Sequence, residues 1–284
     1  MSVWLPTASC TPESCLTDPA PTVALPRRVL RLTACLLVLA TGLALTRPAS
    51  TLPRGPRDLL ARFWARTLLG SLGVAVRIAP TPDDRPDDRP DDRPNPQHSG
   101  VLLVANHVSW LDIPLIAAVR PGRSLAKTEV RHWPVLGRMV SWGGTVFLDR
   151  DRLRTLPGTV SEVAALLRDG HPMVVFPEGS TWCGRESGRF RPAFFEAAVR
   201  AGAPVQPMTI RYRLADGRAT SAPAFVGEDG LLNSLARVVA VRGLVAELTF
   251  RPPIPAPAPQ PGGGLRQARR ELAHAAQASV EGVR

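Results

Sequence analysis

"VLLVANHVSWLDIPL", residues 101–115, decides how the rest of the chain is read. Five apolar residues, Val101 to Ala105, run unbroken into Asn106-His107, and Asp112 follows the imidazole by five positions. A short apolar run without polar alternation is the pattern of a strand buried on both faces, as in a parallel sheet covered by helices. A buried strand needs no imidazole at its mouth. Reactive groups in α/β sheets, however, gather beyond the carboxyl ends of strands.

The pattern recurs downstream. "GTVFL" (144–148), "PMVVF" (172–176), "PVQPMTIRY" (204–212) and "LVAELTF" (244–250) read as strands. Between them "WLDIPLIAAV", "TVSEVAALLRDG", "AFFEAAVRAG" and "LLNSLARVVAV" have helical character, with Gly170 and Gly202 where helix C-caps fall. This alternation predicts an α/β domain over 98–255, with a mostly parallel central sheet flanked by helices. A C-terminal loop and helix follow over 256–284, the helix at about residues 264–279.

Three strand ends carry chemistry: Asn106-His107, Asp149-Arg150 and Pro177-Glu178-Gly179. On one continuous helix, residues five apart point about 140° away from each other, so His107 and Asp112 would not meet. Ser109 reads as an N-cap with Asp112 three residues on, as in a capping box, which leaves His107 in the preceding turn. Folding back would let the carboxylate hold one imidazole nitrogen and leave the other free as a base. The same spacing also fits an Asp112 that only caps and a His107 that only fills the turn. No protein nucleophile accompanies the pair. "PEGSTW" places Glu178 where a Gly-x-Ser-x-Gly elbow needs its first Gly, and Cys183 has no recognisable basic partner. A His–Asp pair alone suits a reaction whose substrate brings the nucleophile, such as a hydroxyl attacking a thioester.

From about residue 100 to 250 the chain resembles the glycerolipid and lysophospholipid acyltransferases, which include the bacterial 1-acylglycerol-3-phosphate acyltransferases. Four ordered blocks carry the resemblance: Asn106-His107-x4-Asp112, Gly144-x-x-Phe147-Leu148-Asp149-Arg150, Phe176-Pro177-Glu178-Gly179-Ser180-Thr181, and the apolar strand around Pro204 and Pro207. Lys127-Thr128-Glu129 matches a further Lys-x-Glu segment. The resemblance implies that His107 deprotonates the acceptor hydroxyl while Asp112 orients the ring. It implies that Arg150 and Lys127 hold an anionic headgroup. Asn106, Glu178, Gly179, Ser180, Thr181 and Arg185 would line the acceptor site, with Glu178 able to anchor a hydroxyl or an Arg. Acyl-CoA or acyl carrier protein would be the co-substrate, and neither a cofactor nor a metal is implied. The expected product is phosphatidate from 1-acylglycerol-3-phosphate. One departure bears on the acceptor: Trp182 stands where phosphatidate-forming members place an Arg, which turns "EGSTWCG" toward acyltransferases of other lyso-lipids, such as lyso-ornithine lipid. A non-catalytic lipid-binding protein of the same fold would be expected to have lost His107 or Asp112.

The rest of the chain speaks to its surroundings. The net charge is +11, almost wholly from Arg, since Lys127 is the sole Lys. Codon bias of a GC-rich genome and attraction to an anionic surface both account for this. No nucleic-acid-binding module is present, so membrane lipid is the better partner. Residues 1–28 are Pro-rich and aperiodic and read as a disordered tail. Over 29–73 two membrane-associated helices are expected. Val29 to Leu45 is about the minimum length for spanning a bilayer. In residues 56–73, Leu59, Leu60, Phe63, Trp64, Leu68 and Leu72 recur at helical spacing with Arg62 and Arg66 between, which fits a core helix and an interfacial one equally. The "PDDR" repeat within 80–97 reads as a solvated spacer. Cys10 and Cys15 lie in the Pro-rich tail, Cys35 in an apolar run and Cys183 in a loop, which suggests neither a disulfide framework nor a zinc site. These features place the chain at the cell membrane with its site facing the cytoplasm.

Overall fold

Alternate residues of the quoted strand pack against different helices, which is why the run is apolar throughout. Leu102 and Val104 belong to one buried cluster, Leu103 and Ala105 to another, and all four are fully buried. The computed structural model describes residues 8–80, 100–132, 137, 143–149, 152–257 and 264–282.

Among these residues a seven-stranded sheet forms the centre. Its strands are β1 (Val74–Ala79), β2 (Leu102–Ala105), β3 (Arg123–Lys127), β4 (Val146–Leu148), β5 (Met173–Val175), β6 (Val205–Leu214) and β7 (Leu244–Phe250). They lie in the order β1-β7-β6-β2-β5-β3-β4. Every neighbouring pair is parallel except β6 and β7. The expected α/β architecture with a mostly parallel sheet is what forms. β1 and β3 were not anticipated. Arg123–Lys127 is only half-buried and polar, so it lacks the apolar signature that marked the other strands.

The helices are α1 (Pro12–Cys15), α2 (Leu25–Ser50), α3 (Arg54–Ser71), α4 (Asp112–Val119), α5 (Leu156–Arg168), α6 (Phe195–Ala201), α7 (Leu231–Ala240) and α8 (Gly264–Glu281). On one face of the sheet α3, α4 and α7 bury Leu68, Leu69, Leu115, Ile116, Val238 and Val239 with Leu103 and Ala105. On the other, α5, α6 and α8 bury Val163, Leu167, Phe195 and Leu272 with Leu102 and Val104. Gly170 and Gly202 take positive φ just past α5 and α6. Several prolines open helices, where a missing N–H costs nothing, so part of the Pro content is structural rather than a mark of loops.

The disordered reading of 1–28 is corrected for residues 8–28. Cys10, Cys15 and Val23 are buried, Val23 N–H donates to the Ala240 carbonyl and Arg242 N–H to the Pro21 carbonyl. A few directed contacts to distant residues hold this segment, and composition carries no trace of them. Residues 81–99, with the repeat, lie outside the described residues.

α2 is 26 residues long, beginning before Val29 and ending past Leu45. It is the one described helix long and apolar enough to cross a membrane. Its first turns nevertheless dock on the domain. Arg31 is buried, and its guanidinium donates to the Val239 and Val241 carbonyls at 2.8 Å each. Those carbonyls end α7, so the cation also meets the negative end of a helix dipole. Gly73, at φ 78°, makes room for it, because a Cβ there would collide with the guanidinium. Leu25, Leu30, Leu36 and Leu37 remain exposed on the outer side. α3 is divided: Leu68 and Leu69 are core, while Leu59 and Phe63 are 64% and 69% exposed. The core reading therefore holds for its later turns, while its earlier turns present apolar side chains at the surface.

Candidate active site

β2 and β5 are neighbours, so the loops leaving their carboxyl ends meet. Asn106 continues the β2–β6 ladder with its side chain. Its amide nitrogen donates to the Ile210 carbonyl at 3.0 Å, and its oxygen accepts from Ile210 N–H at 2.8 Å. Both functional atoms of this buried side chain are thus engaged by β6, and Asn106 positions the turn instead of facing a ligand. His107 N–H donates to Glu178 at 2.7 Å, and the other Glu178 oxygen accepts from Gly188 N–H at 3.2 Å. Glu178 is 2% exposed and ties three loop segments together. Its carboxylate anchors backbone amides, a role that the expected hydroxyl or Arg contact did not foresee.

His107 Nδ1 lies 2.8 Å from Asp112 Oδ2. The same oxygen accepts the N–H groups of Val108 (2.7 Å) and Ser109 (2.9 Å). Only the second half of the capping box forms: Asp112 reaches back to Ser109 N–H, while Ser109 Oγ accepts from Leu111 N–H. The turn wraps around the carboxylate and delivers the imidazole to it. Phe176 stacks on the ring, with centroids 4.0 Å apart and planes 13° apart. The side chain is 21% exposed, and no described residue pairs with Nε2. A ring anchored at Nδ1, stacked on one face and open at Nε2 is oriented to accept a proton at Nε2.

Tyr212, the only Tyr of the chain, was not recognised from sequence. From β6 its hydroxyl donates to Asp112 Oδ1 at 2.7 Å. Burial, then the adjacent Asp112 charge, pushes its pKa well above the usual value, so it remains a donor. Asp112, itself 0% exposed, thereby has donors on both oxygens. A Tyr on the buried face of an apolar strand has a hydroxyl that must find a partner; that was the available signal.

The other expected site residues spread outward. Lys127 ends β3 and is exposed, on the far side of β5 from β2. Arg150 follows β4, one strand further, and lies outside the described residues. At about 4.8 Å per strand, β3 and β4 lie roughly 10 and 14 Å from β2. Gly179 N–H donates to the Phe176 carbonyl and closes the turn after β5. Ser180 is half-buried beside it, and Thr181 Oγ1 donates to the Phe225 carbonyl. Trp182 N–H donates to the His107 carbonyl at 2.8 Å, while its indole lies against Gly188 with Nε1 buried and unpaired. Arg185 is turned toward the N-terminal segment, donating to the Cys15 carbonyl at 2.7 Å and pairing with Asp18 at 3.2 Å.

The cysteines do not stay apart. Cys10, Cys15 and Cys183 are buried with their sulfurs within 4.8 Å of one another, a gathering that the sequence reading did not anticipate. Burial pushes the Cys10 thiol up to about 12.

A His–Asp pair at the end of a central strand of an α/β sheet, with no Ser or Cys paired to His107 Nε2 among the described residues, suits a reaction whose substrate brings the nucleophile. The chain belongs to the acyltransferase family. The family described as Acyltransferase matches residues 90–211. Over 89% of the chain and 92% of the relative, it is 33% identical to a lyso-ornithine lipid O-acyltransferase of Pseudomonas aeruginosa. It is 39% identical over 156 residues to a 1-acyl-sn-glycerol-3-phosphate acyltransferase of Neisseria gonorrhoeae, spanning 55% of the chain and 61% of that relative. The crystal structure of the 1-acyl-sn-glycerophosphate acyltransferase PlsC from Thermotoga maritima shares the fold, with a TM-score of 0.61 and 20% identity over 91% of this chain and 95% of that one.

Proposed function

We propose that the chain moves a fatty acyl group from a thioester donor, acyl-CoA or acyl carrier protein, to the hydroxyl of a lyso-lipid. The observation that carries this reading is the Asp112-anchored His107 with its Nε2 unengaged. Nε2 takes the proton as the acceptor oxygen attacks the thioester carbonyl. The tetrahedral intermediate then collapses, the C–S bond breaks, and the imidazolium returns the proton to the leaving thiolate. Asp112 stabilises the imidazolium throughout. In the turn after β5 the N–H of Gly179 is engaged, and those of Ser180 and Thr181 are the donors we assign to the oxyanion.

We take 1-acylglycerol-3-phosphate as the first acceptor to test, its phosphate held by Lys127 and Arg150. Two observations favour a second reading, a lyso-aminolipid acceptor. Trp182 stands where an Arg would complete a phosphate clamp, and the lyso-ornithine lipid relative matches nearly end to end. The exposed leucines of α2, with Leu59 and Phe63 of α3, would sit in the bilayer and keep the site at its cytoplasmic surface, where lyso-lipids arrive. Purified protein in mixed micelles, given labelled acyl-CoA or acyl carrier protein and a panel of lyso-lipids, tests all of this. Transfer to lysophosphatidate supports the first acceptor, and transfer to lyso-ornithine lipid alone selects the second. Absence of transfer to any member from either donor overturns the enzymatic reading in favour of a lipid-binding protein.

A further inference from the structure

The three gathered thiols have no part in acyl transfer, yet the fold spends unusual effort on bringing them together. Cys10 precedes the single turn α1 and Cys15 ends it, and Thr11 and Ser14 form a complete capping box at its start. That turn puts both sulfurs on the side facing Cys183. Cys183 comes from the opposite direction, one residue after Trp182. Gly184, at φ 86°, bends the chain immediately after it. The Glu186 carboxylate lies 4.0 Å from Cys10 Sγ and is held there by Ser9 Oγ at 3.0 Å. The Cys15 carbonyl accepts from both Arg185 (2.7 Å) and Ser221 (2.6 Å), so the ends of the cluster are tied down independently.

The three gathered sulfurs, with the Glu186 carboxylate beside Cys10 and a side-chain rotation away from the other two, offer four donors to a borderline-soft divalent ion. Zinc bound by thiolates at about 2.3 Å places sulfurs roughly 3.8 Å apart, within reach of the spacing seen here by small side-chain rotations. Copper(I) would favour sulfur donors alone, whereas a carboxylate suits zinc. We propose that Cys10, Cys15, Cys183 and Glu186 bind one zinc ion, which clips the N-terminal segment to the loop following β5. Because Trp182 N–H holds the His107 carbonyl, the clip would stiffen the loop that frames the turn of His107 and Asp112. This inference is independent of which lipid the enzyme acylates.

The test uses the full chain, purified under reducing conditions without affinity-metal steps. Elemental analysis should find about one zinc per chain. Cobalt(II) added after zinc removal should give a thiolate charge-transfer band and the visible bands of a tetrahedral site. Zinc-loaded wild type should resist alkylation at Cys10, Cys15 and Cys183, and become reactive there when chelated. C15S and C183S should lose the cobalt spectrum, while C35S, which alters a buried thiol outside the cluster, should keep it. E186Q should weaken zinc binding at least tenfold, and unchanged affinity would remove the carboxylate from the site. Wild-type protein with no stoichiometric zinc and no thiolate–cobalt band overturns the proposal, as does a disulfide joining any two of the three cysteines. These wild-type measurements decide the matter even where a Cys variant fails to fold.

Discussion

The turn that carries His107 and Asp112, residues 107–112, and the N-terminal segment, residues 8–31, take their conformations by different means. In the turn, Asp112 holds His107, Val108 and Ser109, each within five residues of itself. In the N-terminal segment the holding bonds run from Arg31 to Val239 and Val241, and from Cys15 to Arg185 and Ser221, across 170 to 210 positions. A motif held by local bonds shows its spacing in the sequence. A segment held from afar shows only the composition of its own residues, which here reads as a tail. The two regions should therefore fail differently when altered: one in chemistry, the other in stability.

The largest effect belongs to the turn of His107 and Asp112. H107A should lower kcat by roughly 10²–10⁴-fold with the circular dichroism and melting temperature of wild type. Near-normal turnover by that folded variant would break the comparison at its local side. Y212F tests the long-range strut of the same site. Loss of one hydrogen bond to a carboxylate, about 1.5–3 kcal/mol, should cut kcat about tenfold or more while KM stays put, because Tyr212 touches Asp112 and not substrate. A rise in KM without a fall in kcat would show that Tyr212 faces the acceptor.

R31M probes the other region. It leaves two buried carbonyls without their donor, so the fold should lose about 1–3 kcal/mol while kcat in detergent is retained. Chemical denaturation with parallel activity assays reads both quantities. A kcat loss matching that of Y212F would mean that the N-terminal segment serves the chemistry.

A smaller effect concerns His171, which sits against the Arg54 guanidinium at 2.9 Å. Burial, then Arg123, Arg54 and Arg57, lower its pKa from 6.5 to about 4. Between those values the unfolded chain binds a proton that the folded chain refuses. Stability contributed by this site is therefore complete above pH 6.5 and is lost as pH falls through about 4. H171Q should flatten that part of the stability profile, and an unchanged slope would show that other groups govern it. Smallest of all should be deletion of Asp83 to Arg93, whose sequence reads as a solvated spacer and whose loss should leave turnover within about twofold. A large loss in detergent would show that the repeat positions the site.

Much of the sheet was legible because both faces of its central strands are buried. Val101 to Ala105 and Met173 to Val175 had to be apolar at every position, and that constraint is visible in one dimension. The dyad was legible because its bonds are local. Arg123–Lys127 was not, because a half-buried strand tolerates polar residues. Glu178 stood out in its motif, yet its task of holding the His107 and Gly188 amides could not be read from one loop.

By itself, the sequence determined the α/β class, the positions of the main strands along the chain and, through its ordered motifs, the family and the pairing of His107 with Asp112 that the family implies. Tertiary structure alone decided that Tyr212 meets Asp112, that Asn106 pairs with β6, that Arg31 caps α7 and that three scattered cysteines share one buried cluster. Each of these includes a contact between residues about 100 or more positions apart. Their proximity is set by strand order and by which face each helix covers, and a linear spacing does not carry that information.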